Sequence, residues 1–113
     1  PISIQNKLFL ITKNDFLVCL DVNTGKVNYS VDINQKISNF LNSKNNKSIQ
    51  IKSLSIVNNN LFIFFKNSYL VKFDMIGKIL NIEKLPSKLN SFPIFINNSI
   101  LYLDNKNKLV IIN

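Results

Sequence analysis

A stretch near the start of the chain returns twice in the same register, and this repetition limits the possible folds more than any other feature. Residues 8–31 read LFLITKNDFLVCLDVNTGKVNYSV, in which two apolar runs flank a polar tetrad and a second polar turn leads into a half-polar run. Shifted by 53 residues, Leu61 falls on Leu8, and shifted by 92, Ile100 falls on Leu8. A unit that recurs at roughly 40 to 50 residues is typical of propellers, solenoids and repeat arrays.

Each full copy of the unit predicts four antiparallel strands: a first strand that ends in an Asn-rich turn, two strongly apolar strands, and an outer strand with polar residues at intervals. The apolar runs at 8–11, 61–65 and 109–112 show no polar alternation, so such strands must be covered on both faces. A propeller does this by packing each blade between two neighbours. The hairpins between the apolar strands are predicted at Asn14-Asp15, Asn67-Ser68 and 105–107.

We therefore expect an all-β partial β-propeller with four-stranded antiparallel blades, two of them full and most of a third. Residues 1–33 are blade 1, residues 34–50 are an inserted polar loop or short helix, residues 51–84 are blade 2, and residues 85–113 are a linker and an incomplete blade 3. A closed propeller needs at least about four blades. The chain is thus expected to be a fragment or a truncated member of something longer.

Two turns in the repeat have a recognisable chemistry. Asp21 and Asp74 begin turns that close on the only two glycines of the chain. A glycine supplies positive φ without a Cβ clash, and an aspartate at the start of a turn accepts hydrogen bonds from backbone N–H groups. The structural turn residues predicted in this way are Asp21, Thr24, Gly25, Lys26, Asp74, Gly77 and Lys78.

The segment 34–50 makes the first connection between blades thirteen residues longer than the second, counting 25 to 61 against 77 to 100. Ile33, Ile37, Phe40 and Leu41 fall at i, i+4, i+7 and i+8, which permits a short amphipathic helix that starts after Asn34. The alternative is a polar surface loop whose few hydrophobic residues fold back on the blade. As a functional insertion, the segment offers Ile37, Phe40 and Leu41 as possible partner-binding residues.

Composition excludes most catalytic chemistry in this segment. The chain has no histidine, one cysteine and six acidic residues, so neither a Ser-His-Asp relay nor a His- or Cys-based zinc site can be assembled from it. Cys19 lies within an apolar run and is expected to be a buried small hydrophobic residue. We expect no catalytic, cofactor-binding or metal residues and no bound cofactor, and thus not an enzyme.

Charge and hydropathy exclude two further classes. The net charge of +8 comes from fourteen lysines and no arginine, scattered through turns and strand ends. Nucleic-acid readers usually concentrate charge on one face and use arginine, so no specific nucleic-acid binding is expected. No apolar run approaches the roughly 20 residues needed to cross a bilayer, so no transmembrane segment is expected.

The line from Pro1 to Val27, Pro-x-x-x-x-Asn-x-Leu-Phe-Leu followed by a polar hairpin and Phe-Leu-Val-Cys-Leu-Asp-Val-Asn-Thr-Gly-Lys-Val, resembles the pyrroloquinoline-quinone (PQQ)-like repeat. The resemblance implies that each repeat is one four-stranded propeller blade. Repeats of that family commonly place a tryptophan shortly after the Gly-Lys pair, where it docks between blades; here those places hold Tyr29 and Asn81. Within the family, the chain looks most like non-enzymatic members such as the propeller lipoprotein of the bacterial outer-membrane β-barrel assembly machinery.

The resemblance implies a non-catalytic scaffold that binds protein partners in the bacterial periplasm or cell envelope. The alternatives are a fragment of a quinoprotein dehydrogenase and the sensor propeller of a signalling protein. The end blades, at 1–4 and 92–112, are expected to present apolar faces that a closed ring would cover. The isolated segment is therefore expected to self-associate, most simply as a two-fold dimer.

Overall fold

The computed structural model describes residues 2–42 and 50–112, which form three antiparallel sheets and one helix. The strands are β1 (Ile2–Ile4), β2 (Lys7–Ile11), β3 (Phe16–Asp21), β4 (Val27–Asp32), β5 (Ile51–Val57), β6 (Asn60–Phe65), β7 (Tyr69–Phe73), β8 (Ile79–Lys84), β9 (Ile94–Ile96), β10 (Ser99–Leu103) and β11 (Leu109–Ile112), and the helix is α1 (Ile33–Leu41). Blade 1 is the sheet β1-β2-β3-β4, blade 2 is β5-β6-β7-β8, and blade 3 is β9-β10-β11. The prediction of an all-β partial propeller with antiparallel blades is confirmed.

Blades 1 and 2 share their strand register in detail. Leu8 pairs with Leu20 in blade 1, and 53 residues later Leu61 pairs with Phe73 in blade 2. Both blades also carry a register shift at the equivalent place of the third strand, immediately before Leu20 and before Phe73. Such a bulge increases the local twist of a strand pair. The repeat in the sequence thus corresponds to a repeat in backbone geometry that includes this bulge, whereas the register shift between Ile51 and Ser53 occurs in blade 2 without a counterpart in β1–β2.

Each blade has two faces. Its front face points toward the next blade in the chain, and its back face points toward the preceding one. The front face of blade 1 packs on the back face of blade 2, and both contribute to one core cluster. The buried members of this cluster are Phe9, Leu17, Cys19, Ile33, Leu61, Ile63, Phe65, Val71, Phe73 and Ile79. Cys19 is a free cysteine and is buried, as expected.

A second cluster joins the front face of blade 2 to the back face of blade 3. Phe64 and Leu70 pack there with Ile100 and Tyr102. The ring of Phe95 stands edge-on to Phe64, with a centroid separation of 6.0 Å. Phe95 therefore belongs to this internal contact, although it lies in the range expected to face outward at the free end. In the strands within residues 92–112, the side chains that point away from blade 2 alternate with those that face it.

The inserted segment begins as a helix rather than a loop. It starts at Ile33, two residues before the predicted start, because the side chain of Asp32 accepts a hydrogen bond from the backbone N–H of Gln35 at 3.2 Å and caps the first turn. The helix ends at Leu41, and its C-cap Asn42 has the left-handed φ of 52°. The rest of the segment, residues 43–49, lies outside the described residues, as do Pro1 and Asn113 of the predicted end strands.

Candidate functional site

The turn between β3 and β4 is organised by the carboxylate of Asp21. Its Oδ1 accepts hydrogen bonds from the backbone N–H groups of Asn23 at 2.8 Å and Thr24 at 3.1 Å. The hydroxyl of Thr24 in turn accepts one from the N–H of Lys26 at 3.3 Å. Gly25 adopts a φ of 71°, and a Cβ placed there would meet nothing within 4 Å. These four predicted residues thus form one solvent-facing turn, which the N–H of Val22 joins to the turn between β1 and β2 through a hydrogen bond of 2.8 Å to the carbonyl of Asn6.

The equivalent turn between β7 and β8 lies against blade 1. Asp74 Oδ1 accepts hydrogen bonds from the N–H groups of Ile76 at 3.0 Å and Lys78 at 2.9 Å. Gly77 has a φ of 89°, and a Cβ added there would come within 2.9 Å of Cε1 of Tyr29. Only a glycine allows the ring of Tyr29 to approach this turn so closely.

Tyr29 is the side chain that connects the two blades at this turn. It packs against the first core cluster, with its ring 6.5 Å from that of Phe9. Its hydroxyl is buried without a hydrogen-bond partner among the described residues, and burial raises the pKa of the phenol, with smaller contributions from Cys19 and Asp74. Tyr29 therefore lies between blades 1 and 2.

A third aspartate turn, which the sequence reasoning missed, lies between β10 and β11. Asp104 Oδ1 accepts hydrogen bonds from the N–H groups of Lys106 at 2.8 Å and Lys108 at 2.9 Å, the same spacing that Asp74 uses. Asn107 takes the place of the glycine, with a φ of 60°. The available signal was the pattern Asp-x-x-Asn-Lys, which matches Asp-x-x-Gly-Lys at residues 74–78.

The carboxyl of Asp104 is the acid most affected by its surroundings. The hydrogen bond from the backbone of Lys108 lowers its pKa below the ordinary value, and so do the hydrogen bond from Lys106 and the charges of both lysines. Burial opposes these effects without cancelling them. The ionised carboxylate is therefore the form that this hairpin stabilises.

The three residues predicted to bind a partner do not share one exposed surface of α1. Ile37 is half-buried and packs against the first core cluster, next to the fully buried Ile33. Phe40 and Leu41, by contrast, are 49% and 55% exposed at the end of the helix. The two exposed side chains are adjacent, on an element whose other face is fixed to the core.

An open cleft of about 550 Å³ lies between the first hairpin of blade 1 and the first strand of blade 2. Lys13, Lys52 and Lys66 are among its lining residues, together with Asp15. The ammonium group of Lys52 donates a hydrogen bond to the backbone carbonyl of Leu89 at 2.9 Å, so it connects blade 2 to the segment before blade 3. The cleft is wide, and its charged lining residues are three lysines and one aspartate.

A second cleft, of about 510 Å³, follows the contact between blades 2 and 3. Lys72 lies there in an ion pair with Glu83 at 3.3 Å, with its ammonium group 5.3 Å from the ring centroid of Phe62. The charged groups that line this cleft thus have their partners within the fold itself. Exposed pairs of this kind contribute little to stability.

No catalytic arrangement is visible in residues 2–42 and 50–112. Among these residues, no group of three or more His, Cys, Asp or Glu side chains converges as a metal site would require. Within the same residues, no helix is long and apolar enough to cross a membrane.

Comparison with known proteins supports the fold and leaves the family open. No protein-family profile and no curated protein matches the chain. Among solved structures, the chain is similar to the crystal structure of BamB from Moraxella catarrhalis, with a TM-score of 0.68 over 96% of this chain and 9% sequence identity. The chain spans 29% of the length of that protein. At this identity, the likeness shows a β-propeller-like fold.

Proposed function

We propose that the chain is a non-catalytic, protein-binding segment of a β-propeller in the bacterial cell envelope, with a role like that of the propeller subunit of the outer-membrane β-barrel assembly machinery. The observation that carries the proposal is the exposed pair Phe40 and Leu41 at the end of α1. Adjacent large apolar side chains on a rigid element suit a protein partner. The fold likeness to BamB and the resemblance of residues 1–27 to the PQQ-like repeat support the choice of machinery.

The helix is well fixed for such a role. Asp32 caps its first turn, Ile33 is fully buried, and Ile37 packs on the core shared by blades 1 and 2. A partner would therefore meet Phe40 and Leu41 in place, and little conformational entropy would be lost on binding.

Binding to the purified soluble periplasmic segments of outer-membrane β-barrel assembly subunits, measured by biolayer interferometry, tests the proposal. The double variant Phe40→Ser and Leu41→Ser should weaken binding about tenfold or more, as loss of a contact hot spot does. Lys36→Ser, an exposed change on the same helix, should leave binding unchanged. Absence of binding, or equal binding by the double variant, would contradict the proposed role.

We also propose that the segment has no activity of its own and holds neither quinone nor metal. The support is the absence of histidine from the chain and the burial of Cys19 between blades. Absorbance spectra and elemental analysis of the purified chain should show neither a quinone nor stoichiometric metal. A quinone band that persists through purification would instead favour the quinoprotein dehydrogenase alternative.

A further inference from the structure

The front face of blade 3 is an apolar sheet surface that no residue in 2–42 or 50–112 covers. Its side chains come from all three strands of the blade and are aliphatic: Ile94, Ile96, Leu101, Leu103, Leu109 and Ile111. Apart from Leu101, which is partly exposed, they are all among the exposed large hydrophobic residues, and Leu109 reaches 60%. Contiguous apolar surface of this kind marks an interaction site.

Blade 1 has a matching surface on its back face, which none of the residues that the structure describes covers. The side chains there, all partly exposed, are Leu8, Leu10, Val18 and Leu20. Their equivalents 53 residues later, on the back face of blade 2, are at most 1% exposed because blade 1 covers them. The back face of blade 1 is therefore chemically a blade interface without its neighbour.

The two interfaces inside the chain use these faces in the same order. The front face of blade 1 packs on the back face of blade 2, and the front face of blade 2 packs on the back face of blade 3. An uncovered front face and an uncovered back face remain, one at each end of the series. Both faces are aliphatic and carry equivalent positions of the same repeat. The front face of blade 3 is therefore suited to cover a back face, and the back face of blade 1 is suited to be covered by a front face.

We infer that the front face of blade 3 binds the back face of blade 1 of a second copy of this chain, so that two copies close head to tail. Each copy supplies three blades, which gives a ring of six, within the roughly four to eight blades of closed propellers. The two contacts are identical by two-fold symmetry, so both apolar ends of each copy are buried at once. This pairing goes beyond the scaffold function because it needs no other protein.

The internal contacts also indicate which residues meet. The ring of Phe95 lies against Phe62, with centroids 5.3 Å apart, across the contact between blades 2 and 3. By the repeat, Ser3 is the equivalent of Phe95 and Leu101 is the equivalent of Phe62. Ser3 of one copy should thus lie over Leu101 of the other. Ser3 is exposed in the single chain, so a larger apolar side chain there would extend the contact without disturbing the fold.

Sedimentation equilibrium of the purified chain across the low to high micromolar range tests this pairing. The wild-type chain should form a dimer, and Ile111→Lys should weaken it about tenfold or more, because the change buries a charge in the contact. Ile76→Lys adds the same charge at a 73% exposed turn and should leave the dimer unchanged. Ser3→Ile should tighten the dimer about tenfold by burying a further apolar side chain.

Each other outcome counts against the pairing. A monomer in both the wild-type and the Ser3→Ile chain would overturn it, and so would a dimer that Ile111→Lys does not weaken. A dimer sensitive to Ile111→Lys but indifferent to Ser3→Ile would mean that two front faces meet instead. Species that keep growing beyond two copies would overturn the closed ring. Circular dichroism of all four chains verifies that the variants remain folded.

Discussion

The turns at residues 21–26 and 74–78 have the same local chemistry and very different surroundings. In each, one aspartate oxygen accepts two backbone hydrogen bonds and a glycine provides positive φ. The first turn is open to solvent, and Gly25 has free space where a Cβ would be. The second lies under Tyr29, whose ring comes within 2.9 Å of the place of a Cβ on Gly77.

This contrast distinguishes the hydrogen bonds within a turn from the contact of that turn with the neighbouring blade. Local hydrogen bonds give both turns their shape, because they depend only on residues within the turn. Contact with the neighbouring blade then makes one of the two turns part of an interface. Equivalent positions in a repeat should therefore respond alike to substitutions that change the turn itself, and unlike to substitutions that change its outer surface.

Removal of the ring that covers the second turn should have the largest effect. Tyr29→Ala should lower the free energy of unfolding by about 2 to 3 kcal/mol, since it leaves a cavity between blades 1 and 2. Tyr29→Phe is the matched control: it keeps the ring and removes a buried hydroxyl that has no described partner, so it should cost little or stabilise. Urea denaturation measures both. An equal loss in the two variants would show that the hydroxyl, and not the ring, stabilises the contact.

The second largest effect on the free energy of unfolding is expected for alanine substitutions at the two glycines. Gly25→Ala should cost about 1 kcal/mol, the strain of an alanine at positive φ, whereas Gly77→Ala should cost about 2 kcal/mol because its Cβ also clashes with Tyr29. In a Tyr29→Ala background, the cost of Gly77→Ala should fall toward that of Gly25→Ala, with a remainder from Cγ1 of Val31, which lies 3.2 Å from the place of that Cβ. Urea denaturation of the double-mutant cycle measures this coupling. Equal costs in the wild-type background would contradict the difference in packing.

The two aspartates, in contrast, should behave alike. Asp21→Ala and Asp74→Ala each remove an acceptor of two backbone hydrogen bonds and should each cost about 1 kcal/mol. Thermal unfolding of both variants measures the pair. A cost at Asp74 that clearly exceeds the cost at Asp21 would mean that the covered turn depends on its carboxylate through the interface as well.

The smallest effect is expected at Asp104, in the loss of stability at acidic pH. The pKa of Asp104 is lowered in the folded chain, so its contribution to stability is complete above the pKa of the unfolded chain and is lost as the pH falls through the lower, folded pKa. Asp104→Asn keeps an oxygen acceptor and removes the charge. The variant should therefore lose less stability than the wild type between about pH 6 and about pH 3, as measured by urea denaturation at each pH. An equal loss would show that Asp104 does not contribute.

The sequence predicted most of the strands because the repeat aligns three copies of one pattern, and an error in one copy is corrected by the others. The sequence did not decide between a loop and a helix at the start of residues 34–50, because Asp32 is both the last residue of β4 and the N-cap of α1. It also missed Asp104, because the asparagines at 105 and 107 are by themselves typical of a short hairpin turn and do not require an aspartate before them.

The contact of Tyr29 with Gly77 is a feature that the sequence could not predict. The sequence marks both as special positions, Tyr29 by its place shortly after Gly25-Lys26 and Gly77 by turn chemistry, but they are 48 residues apart. Nothing in the strand of Tyr29 or in the turn of Gly77 indicates that they touch, and only the packing of one blade on the next brings them together. The same holds for Ile37, which the helical spacing grouped with Phe40 and Leu41 but which faces the core.

Every sheet in the described residues pairs only strands that follow one another in the sequence. Pairing of this kind closes short loops, so each blade can form its ladder before contacts of large sequence separation are required. The long-range contacts join one blade to the next, as the contact between β1 and β5 does. The expected folding pathway is therefore stepwise: a blade forms, and its neighbour docks on it. For the chain as a whole, the docking of blades rather than the pairing of strands should set the folding rate.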